Sequence, residues 1–315
     1  MKKIIMNLIY ILLICVICVE VLLNNKIVLE SVRESFNIWQ NNIFPSLFPF
    51  FIIGNILISL KLPDIIGELL KNITYKLFKI NKNGAFIIIL SLLSGFPSSA
   101  KYIKEIYLNK DINEEEATKL LTFTHFSNPL FVLGTVSIYI NDSKIAIPIL
   151  ISHYIGNLFI GLIFRNYYIS KQDDTKTNIK NNIKKFKNNE EFGKIISQSI
   201  SSGINTLLLI LGTVTVFLIL TSLINNIFNL APLTKTFING LFEMTQGLSL
   251  LKDLNITTNI KGLIAVIILS FGGLSVHMQT LTIISDTKIK YFPFFISRIM
   301  HAIISALIFY LWKVL

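Results

Sequence analysis

The sequence predicts an all-α, polytopic membrane protein with two inverted-topology halves, each containing a re-entrant helical hairpin broken at glycine. Apolar residues make up 52% of the 315-residue chain and charged residues only 15%, whereas charged residues form about a quarter of a typical soluble domain. The apolar residues fall in blocks, several of which approach the roughly 20 residues that a spanning helix needs. Two shorter blocks, at 85–93 and 260–271, lead directly into breaks that contain glycine. This favours re-entrant half-helices over full crossings.

The two breaks read SGFPSSA at 94–100 and SFGGLSV at 270–276. Hydrocarbon offers no water to a free backbone amide, so an interrupted helix at membrane depth is tolerated only where protein or a wet cavity surrounds it. One such break in each half is the usual sequence indication of a transporter's binding site. The pair therefore predicts a carrier or gate whose site lies between the two hairpins, near the bilayer midplane.

The first half of the chain has a recognisable order of elements. Residues 1–30 are predicted to hold a signal-anchor helix, because Lys2 and Lys3 precede an apolar core and no small-residue cleavage site follows. Residues 31–164 form the first predicted half. Its elements are a helix at 44–60, an interfacial arm at 64–80, a hairpin at 84–109 broken at 95–99, and two crossings at 117–140 and 144–164.

A second half repeats this order with opposite orientation. Residues 165–194 are polar and rich in Lys and Asn, which predicts a basic cytosolic linker. Residues 195–315 form the second predicted half, with a crossing at 203–224, an interfacial stretch at 232–255, a hairpin around 272–273 and a helix at 289–312. Gly95 precedes His125 by 30 residues and Gly272 precedes His301 by 29. This supports a repeat, and chance spacing is the open alternative.

The net charge of +11 is concentrated in three regions. Lys2 with Lys3, the segment 61–83 and the segment 165–194 contribute +2, +3 and +4, which is most of the total. Because basic residues gather in cytoplasmic loops, the N-terminus, the linker and the C-terminus are predicted to be cytosolic. The distribution excludes nucleic acid as a partner. The predicted partners are the lipid bilayer and a small organic anion, and homo-oligomerisation is left open.

Polar residues at membrane depth are costly, so each is a candidate for function. Free amides and the positive end of a helix dipole make an anion site at a half-helix N-terminus, which both breaks would supply. The predicted substrate-binding residues are Asn42, Gly95, Pro97, Ser98, Ser99, Lys101, Asn128, Asn205, Gly272, Gly273, Ser275, His277 and Gln279.

Several of these residues carry a structural alternative. Lys101 pairs either with an anionic substrate or with Glu105, one helical turn later. His277 either binds substrate or a proton, or it hydrogen-bonds a backbone carbonyl. Glu243 and Arg298 are predicted from charge alone to form an internal ion pair.

The chain carries no motif of a soluble enzyme or of an ATP-driven pump. Patterns such as H-E-x-x-H, G-x-S-x-G and G-x-x-x-x-G-K-[ST] do not occur in it. Four scattered histidines do not make a metal site, and Cys15 and Cys18 lie in the first apolar block without partner cysteines. We therefore expect no enzymatic activity, no cofactor and no metal.

Six ordered motifs identify a family resemblance that covers residues 36 to 312. They are LFPF at 47–50, SGFP at 94–97, FSNPLF at 126–131, EMTQG at 243–247, GGLSVHMQ at 272–279 and RIMHA at 298–302. Together they resemble the sporulation integral membrane protein family YlbJ, whose members carry nucleoside-recognition (Gate) domains. The resemblance implies a role in endospore formation, in a membrane of the mother cell or the forespore. It further implies transport of dipicolinic acid, a small aromatic dicarboxylate.

Two other functions stay open at this point. One is a nucleoside or ion permease of the wider Gate superfamily. The other is a non-transporting membrane assembly factor for spore cortex formation, for which the basic linker would matter more than the pocket. The residues alone do not identify the anion.

Overall fold

A computed structural model describes residues 2–60, 62–170 and 189–314 of the chain. Every regular element in these residues is helical, as the apolar blocks predict. The first half contains α1 (Lys2–Leu23), α2 (Asn25–Ile38), α3 (Phe44–Ser59), α4 (Leu62–Phe78), α5 (Lys82–Ser94), α6 (Ser98–Leu108), α7 (Glu114–Phe123), α8 (Ser137–Ile140) and α9 (Ala146–Ile163). The second half contains α10 (Asn189–Ile227), α11 (Pro232–Phe242), α12 (Met244–Ser249), α13 (Thr258–Phe271), α14 (Gly273–Ile284) and α15 (Tyr291–Val314).

Short irregular turns extend several of these helices. A π-helical turn at Trp39–Ile43 joins α2 to α3, and a second one at Phe131–Val136 leads into α8. Turns of 3₁₀ helix follow α9 at Phe164–Asn166 and α12 at Leu250–Asp253. The helical paths are therefore longer than the α-helices alone.

Within the described residues, six helices are long and apolar enough to cross a membrane. They are Ile5–Leu23, Asn25–Ser59, Ala146–Asn166, Phe192–Ile227, Thr258–Ile284 and Tyr291–Trp312. Ile65–Phe78 and Lys82–Ser94 pass the same test together but meet at 90°, which gives up to seven spans. The protein is thus an all-helical, multi-pass membrane protein, as predicted. The inverted repeat and the re-entrant course of the hairpins remain predictions.

The structure gives the course of three predicted segments in more detail. The arm at 64–80 is the helix α4, and it turns sharply into α5. The crossing predicted at 117–140 is interrupted, because the non-helical segment 124–128 separates α7 from the following helix. The second glycine-containing break is a short interruption at Gly272 within the 27-residue candidate span Thr258–Ile284. Residues 171–188 of the predicted linker lie outside the described residues.

Both halves contribute to the apolar cores, so neither half packs by itself. One core joins Phe86 and Ile103 of the first half to Phe294 of α15. Another joins Val132 of the first half to Ala265 of α13. A third packs α3 against α10. Burial of apolar side chains on this scale fixes the helix breaks in position between the two halves.

Candidate binding site

The two glycine-containing breaks approach the same histidine. The rings of Phe96 and His125 stack with centroids 4.4 Å apart and an interplanar angle of 9°. A Cβ placed on Gly272 would lie 3.2 Å from Nε2 of His125. His125 itself belongs to the third break, at 124–128. Three interrupted helices, two from the first half and one from the second, therefore meet at one point in the interior.

Glycine is required at these turns by both conformation and space. Gly95 has φ of 77°, and Gly272 and Gly273 have φ of 90° and 71°. Side chains of L-residues rarely adopt such angles. A Cβ on Gly95 would also lie 2.5 Å from the backbone nitrogen of Asn128. The breaks therefore depend on glycine, as their sequence predicts.

Asn128 holds the first and third breaks together. Its Nδ2 donates to the carbonyl oxygens of Leu93 at 3.2 Å, Ser94 at 3.4 Å and Ser46 at 3.3 Å. Its Oδ1 accepts a hydrogen bond from the backbone nitrogen of Leu130 at 2.7 Å. One side chain thus satisfies carbonyls at the C-terminus of α5 and an amide at the start of the next helix.

A central cavity lies beside these breaks. Its volume is about 50 Å³. Its apolar wall includes the rings of Phe96 and Phe131. Its polar lining residues are Ser46, Ser127, Asn128, Glu243, Thr245 and Gln279. Both halves of the chain contribute to the wall.

The cavity wall contains both the positive ends of two helices and a negatively charged carboxylate. Pro97 and Val276, which line it, lie at the N-terminus of α6 and in the first turn of α14. These helix ends carry partial positive charge. Glu243, in contrast, is a carboxylate and is only 1% exposed. Its Oε2 accepts hydrogen bonds from the Thr245 hydroxyl and from the backbone nitrogen of Gln246, the latter at 2.9 Å, so it caps α12.

Arg298 forms the centre of a separate buried network. Its guanidinium donates to the Thr122 carbonyl, to Asn157 Oδ1 at 2.9 Å and to the His125 carbonyl at 3.4 Å. It also lies 2.9 Å from His301 Nδ1. The predicted ion pair between Glu243 and Arg298 is corrected by these contacts, since each group has its own hydrogen-bond partners and the two do not pair.

The remaining contacts define which ring nitrogen carries the proton in His153 and in His301. Because the backbone nitrogen of Ser127 donates to His153 Nε2 at 2.9 Å, the ring proton of His153 lies on Nδ1, which faces Ser270 Oγ at 3.0 Å. His301 Nδ1 accepts from Arg298, so its Nε2 donates to the His153 carbonyl at 2.8 Å. Both rings are neutral in this arrangement, and they serve to connect α9, α13 and α15.

His277 has the structural role that the sequence left as an alternative. Its Nε2 donates to the Phe271 carbonyl at 3.1 Å, and its Nδ1 accepts from the Tyr291 hydroxyl at 2.8 Å. Both ring nitrogens are therefore engaged within the protein. His277 spans the break at Gly272 and does not line the central cavity.

Lys101 and Asn205 line a different space, a polar cleft of about 520 Å³ between α6 and α10. Lys101 Nζ has no hydrogen-bond partner and lies 5.1 Å from the centre of the Phe51 ring, a cation–π arrangement. At the rim of the cleft, Lys104 Nζ is 2.7 Å from Asp286 Oδ1, and this contact lowers the pKa of Asp286. The predicted substrate-binding lysine is thus separated from the central cavity.

Apart from His277, the predicted residues fall into three groups. Pro97, Asn128 and Gln279 line the central cavity. The turn glycines, together with Ser98, which donates to the Gly95 carbonyl, and Ser275, which accepts from Gln279 at 3.2 Å, support the breaks around it. Outside these two groups lie Asn42 in the first π-helical turn, Ser99 with a buried and unpartnered hydroxyl, and the cleft residues Lys101 and Asn205.

Sequence reasoning missed Ser46, Ser127 and Thr245 as lining residues and assigned Glu243 a different role. One available signal was the spacing of Glu243 and Gln246, which is that of an N-cap and the third residue of a helix. Such a cap indicates a helix start at 243 and therefore another break. The other lining residues have no comparable local signal.

Comparison with known proteins supports the resemblance. No family model matches the chain, and no solved structure matches it. The chain is 28% identical over 319 aligned residues, covering 90% of its own length and 77% of the relative, to the sporulation integral membrane protein YlbJ of Bacillus subtilis (strain 168). The resemblance predicted from the six motifs is confirmed by this similarity over most of both chains. This multi-pass membrane protein is thus similar in sequence to the sporulation integral membrane protein YlbJ over most of its length.

Proposed function

We propose that this protein carries a small organic anion, dipicolinic acid, across a membrane of the sporulating cell. The observation that carries the proposal is the approach of two half-helix N-termini, one from each half, to a single central cavity. The name of the curated relative supports the setting in spore formation. We propose the mother-cell or forespore membrane as the location, with the N-terminus, the linker and the C-terminus on the cytosolic side.

The helix ends suit carboxylate groups. Neither α6 nor α14 has a side chain that caps its N-terminus, because the N-cap residues are Pro97 and Gly272. The positive ends of the two helix dipoles attract anions. A flat aromatic dicarboxylate can present one carboxylate to each helix end and its ring to Phe96 or Phe131.

The size of the cavity implies movement. A pocket for a small organic ligand typically measures about 300 to 1,000 Å³, whereas only about 50 Å³ here admits the centre of a water-sized molecule. The cavity of the described state is therefore too small for the guest, and in this proposal the guest enters when one half moves against the other. Rocking of repeats around a fixed site is a common mode of alternating access.

A nucleoside permease is the second candidate, favoured by the neutral polar lining. Asn128, Thr245 and Gln279 supply hydroxyl and amide groups, and Glu243 supplies a carboxylate. Such groups recognise sugar hydroxyls and base edges through hydrogen bonds. Competition of uridine and inosine with dipicolinate in one uptake assay distinguishes the two candidates.

The test is uptake of labelled dipicolinate into vesicles that contain the purified full chain. We expect saturable uptake, and we expect Gln279→Leu to reduce it by about tenfold, the effect of losing one good hydrogen bond in a dry site. Met278→Leu is the matched control, because the neighbouring side chain is 45% exposed and faces away from the cavity. Uptake no faster than in protein-free vesicles, or inhibited by uridine and not by dipicolinate analogues, contradicts the proposal.

A further inference from the structure

Glu243 places a second negative charge beside the anion that the proposed function requires. It is an almost completely buried carboxylate in the wall of the central cavity. Among the described residues that line this cavity, no Lys, Arg or His is present to neutralise it. An anionic guest would therefore lie beside a second negative charge in a poorly hydrated space, where like charges repel far more strongly than in water.

We propose that Glu243 binds the coupling cation, a proton or a sodium ion, that accompanies the anion. This inference rests on the proposed function and deepens it, because neutralising Glu243 removes the repulsion that the guest would otherwise meet. Cation and anion then occupy the cavity together and leave it together. The carrier is on this view a symporter.

The surroundings of Glu243 suit a hard monovalent cation. The Oε2 atom of Glu243 accepts hydrogen bonds from the Thr245 hydroxyl and from the backbone nitrogen of Gln246. Hydroxyl and amide oxygens of Ser127, Asn128 and Gln279 line the same cavity. Oxygen ligands select hard cations, whereas imidazole and thiolate select transition metals. No group of three or more His, Cys, Asp or Glu in the described residues could hold such a metal.

Three other titratable groups contribute to the electrostatics around Glu243. Glu34 on α2 and Tyr139 on α8 interact electrostatically with Glu243, and Lys252 interacts with Glu34. Glu34 and Lys252 are exposed.

The first arm of the test measures cation binding in the absence of the organic anion. Thermal unfolding of the purified full chain is followed in sodium chloride and in choline chloride, and across a pH series. We expect sodium, or a lower pH, to raise the unfolding temperature by about 2 to 4 °C, because a ligand of the folded state stabilises it. Glu243→Gln should abolish this effect, whereas Glu30→Gln, which removes an exposed carboxylate of α2, should leave it intact.

The second arm measures anion uptake driven by a sodium gradient or by a pH gradient. Sodium dependence in both arms identifies sodium as the ion, and dependence on pH alone identifies the proton. If Glu243→Gln does not fold, Glu243→Asp is used, and its half-saturating cation concentration should rise by about tenfold.

An equal response to sodium and pH in wild type and Glu243→Gln overturns the inference, as does a wild type that responds to neither or a Glu243→Asp variant with unchanged half-saturation. A cation response that disappears in Glu243→Gln, in a protein without dipicolinate uptake, supports the cation site and contradicts the proposed function. The two proposals therefore fail separately.

Discussion

At the scale of single residues, buried polar groups in this protein are satisfied mainly by the backbone of broken helices. Arg298 is fully buried and donates to the carbonyls of Thr122 and His125, at the C-terminal end of α7. The negative end of a helix dipole stabilises a cation at this position. The guanidinium therefore needs no carboxylate partner, and its hydrogen bonds leave little capacity for a substrate. Arg298 supports the site without forming part of it.

The turn at Gly95 provides a residue-scale prediction. We expect Gly95→Ala to reduce the free energy of unfolding by about 2 kcal/mol or more, because the residue has φ of 77° and a new Cβ would lie 2.5 Å from the backbone of Asn128. Gly212→Ala is the control, since nothing lies within 4 Å of a Cβ there and the residue is in the interior of α10. That variant should gain about 0.5 to 1 kcal/mol. Thermal unfolding in detergent measures both, and equal stability of the two variants would contradict the prediction.

The sequence predicted these glycines well and the ionisable residues poorly. A glycine between two apolar blocks has a local physical meaning, because it marks a backbone turn wherever it lies. The direction of Lys101 depends instead on which helix packs beside α6, and the structure turns it toward Phe51 and away from the central cavity. Glu243 was paired with Arg298 on charge alone, and only the assembled fold shows that their partners differ.

At the scale of elements, the ends of interrupted helices are held by side chains from other elements. Lys119 on α7 is a clear example. Its Nζ donates to the carbonyls of Lys79 at 3.2 Å, Arg165 at 2.8 Å and Tyr168 at 2.6 Å. These acceptors follow the C-termini of α4 and α9, where carbonyl groups lack helical partners. One lysine thus joins three elements at the linker side of the first half.

We expect Lys119→Met to lower the free energy of unfolding by about 2 kcal/mol or more, because three carbonyls lose a charged donor in a buried place. The matched control is Lys144→Met, since Lys144 is exposed in the loop before α9. It should change stability by less than about 0.5 kcal/mol. Chemical denaturation followed by circular dichroism measures both changes. A similar loss in the two variants would show that charge alone, and not the buried contacts, matters.

A helix break could be predicted where its own residues, such as glycine and proline, mark it. It could not be predicted where contacts with distant parts of the chain produce it. The fold class, the apolar blocks and the breaks at Gly95 and Gly272 follow from local sequence. The predicted crossing at 117–140 contains Pro129, which indicates a distortion, yet in the structure the helix is interrupted across all of 124–128. That segment is stabilised by Asn128 and by the contact of Ser127 with His153, which join residues distant in sequence. No local pattern reports such contacts.

At the scale of the whole molecule, the apolar cores join the two halves, and the distribution of basic residues predicts the orientation in the membrane. α9 is a candidate membrane span with the loop at 141–145 before it and the basic segment 165–194 after it. These two connections therefore lie on opposite faces of the bilayer if α9 crosses it. The seven lysines and one arginine of 165–194 predict that this segment is the cytosolic one.

Cysteine labelling tests this orientation directly. In a background with Cys15→Ser and Cys18→Ser, a membrane-impermeant maleimide added to intact cells should label Ser143→Cys and leave Thr177→Cys unlabelled. Position 177 lies in the predicted linker and should react only after the membrane is opened, because the positive charge around it holds the segment on the cytosolic side. Detergent-solubilised samples of both variants control for reactivity. Labelling of Thr177→Cys in intact cells would contradict the predicted topology.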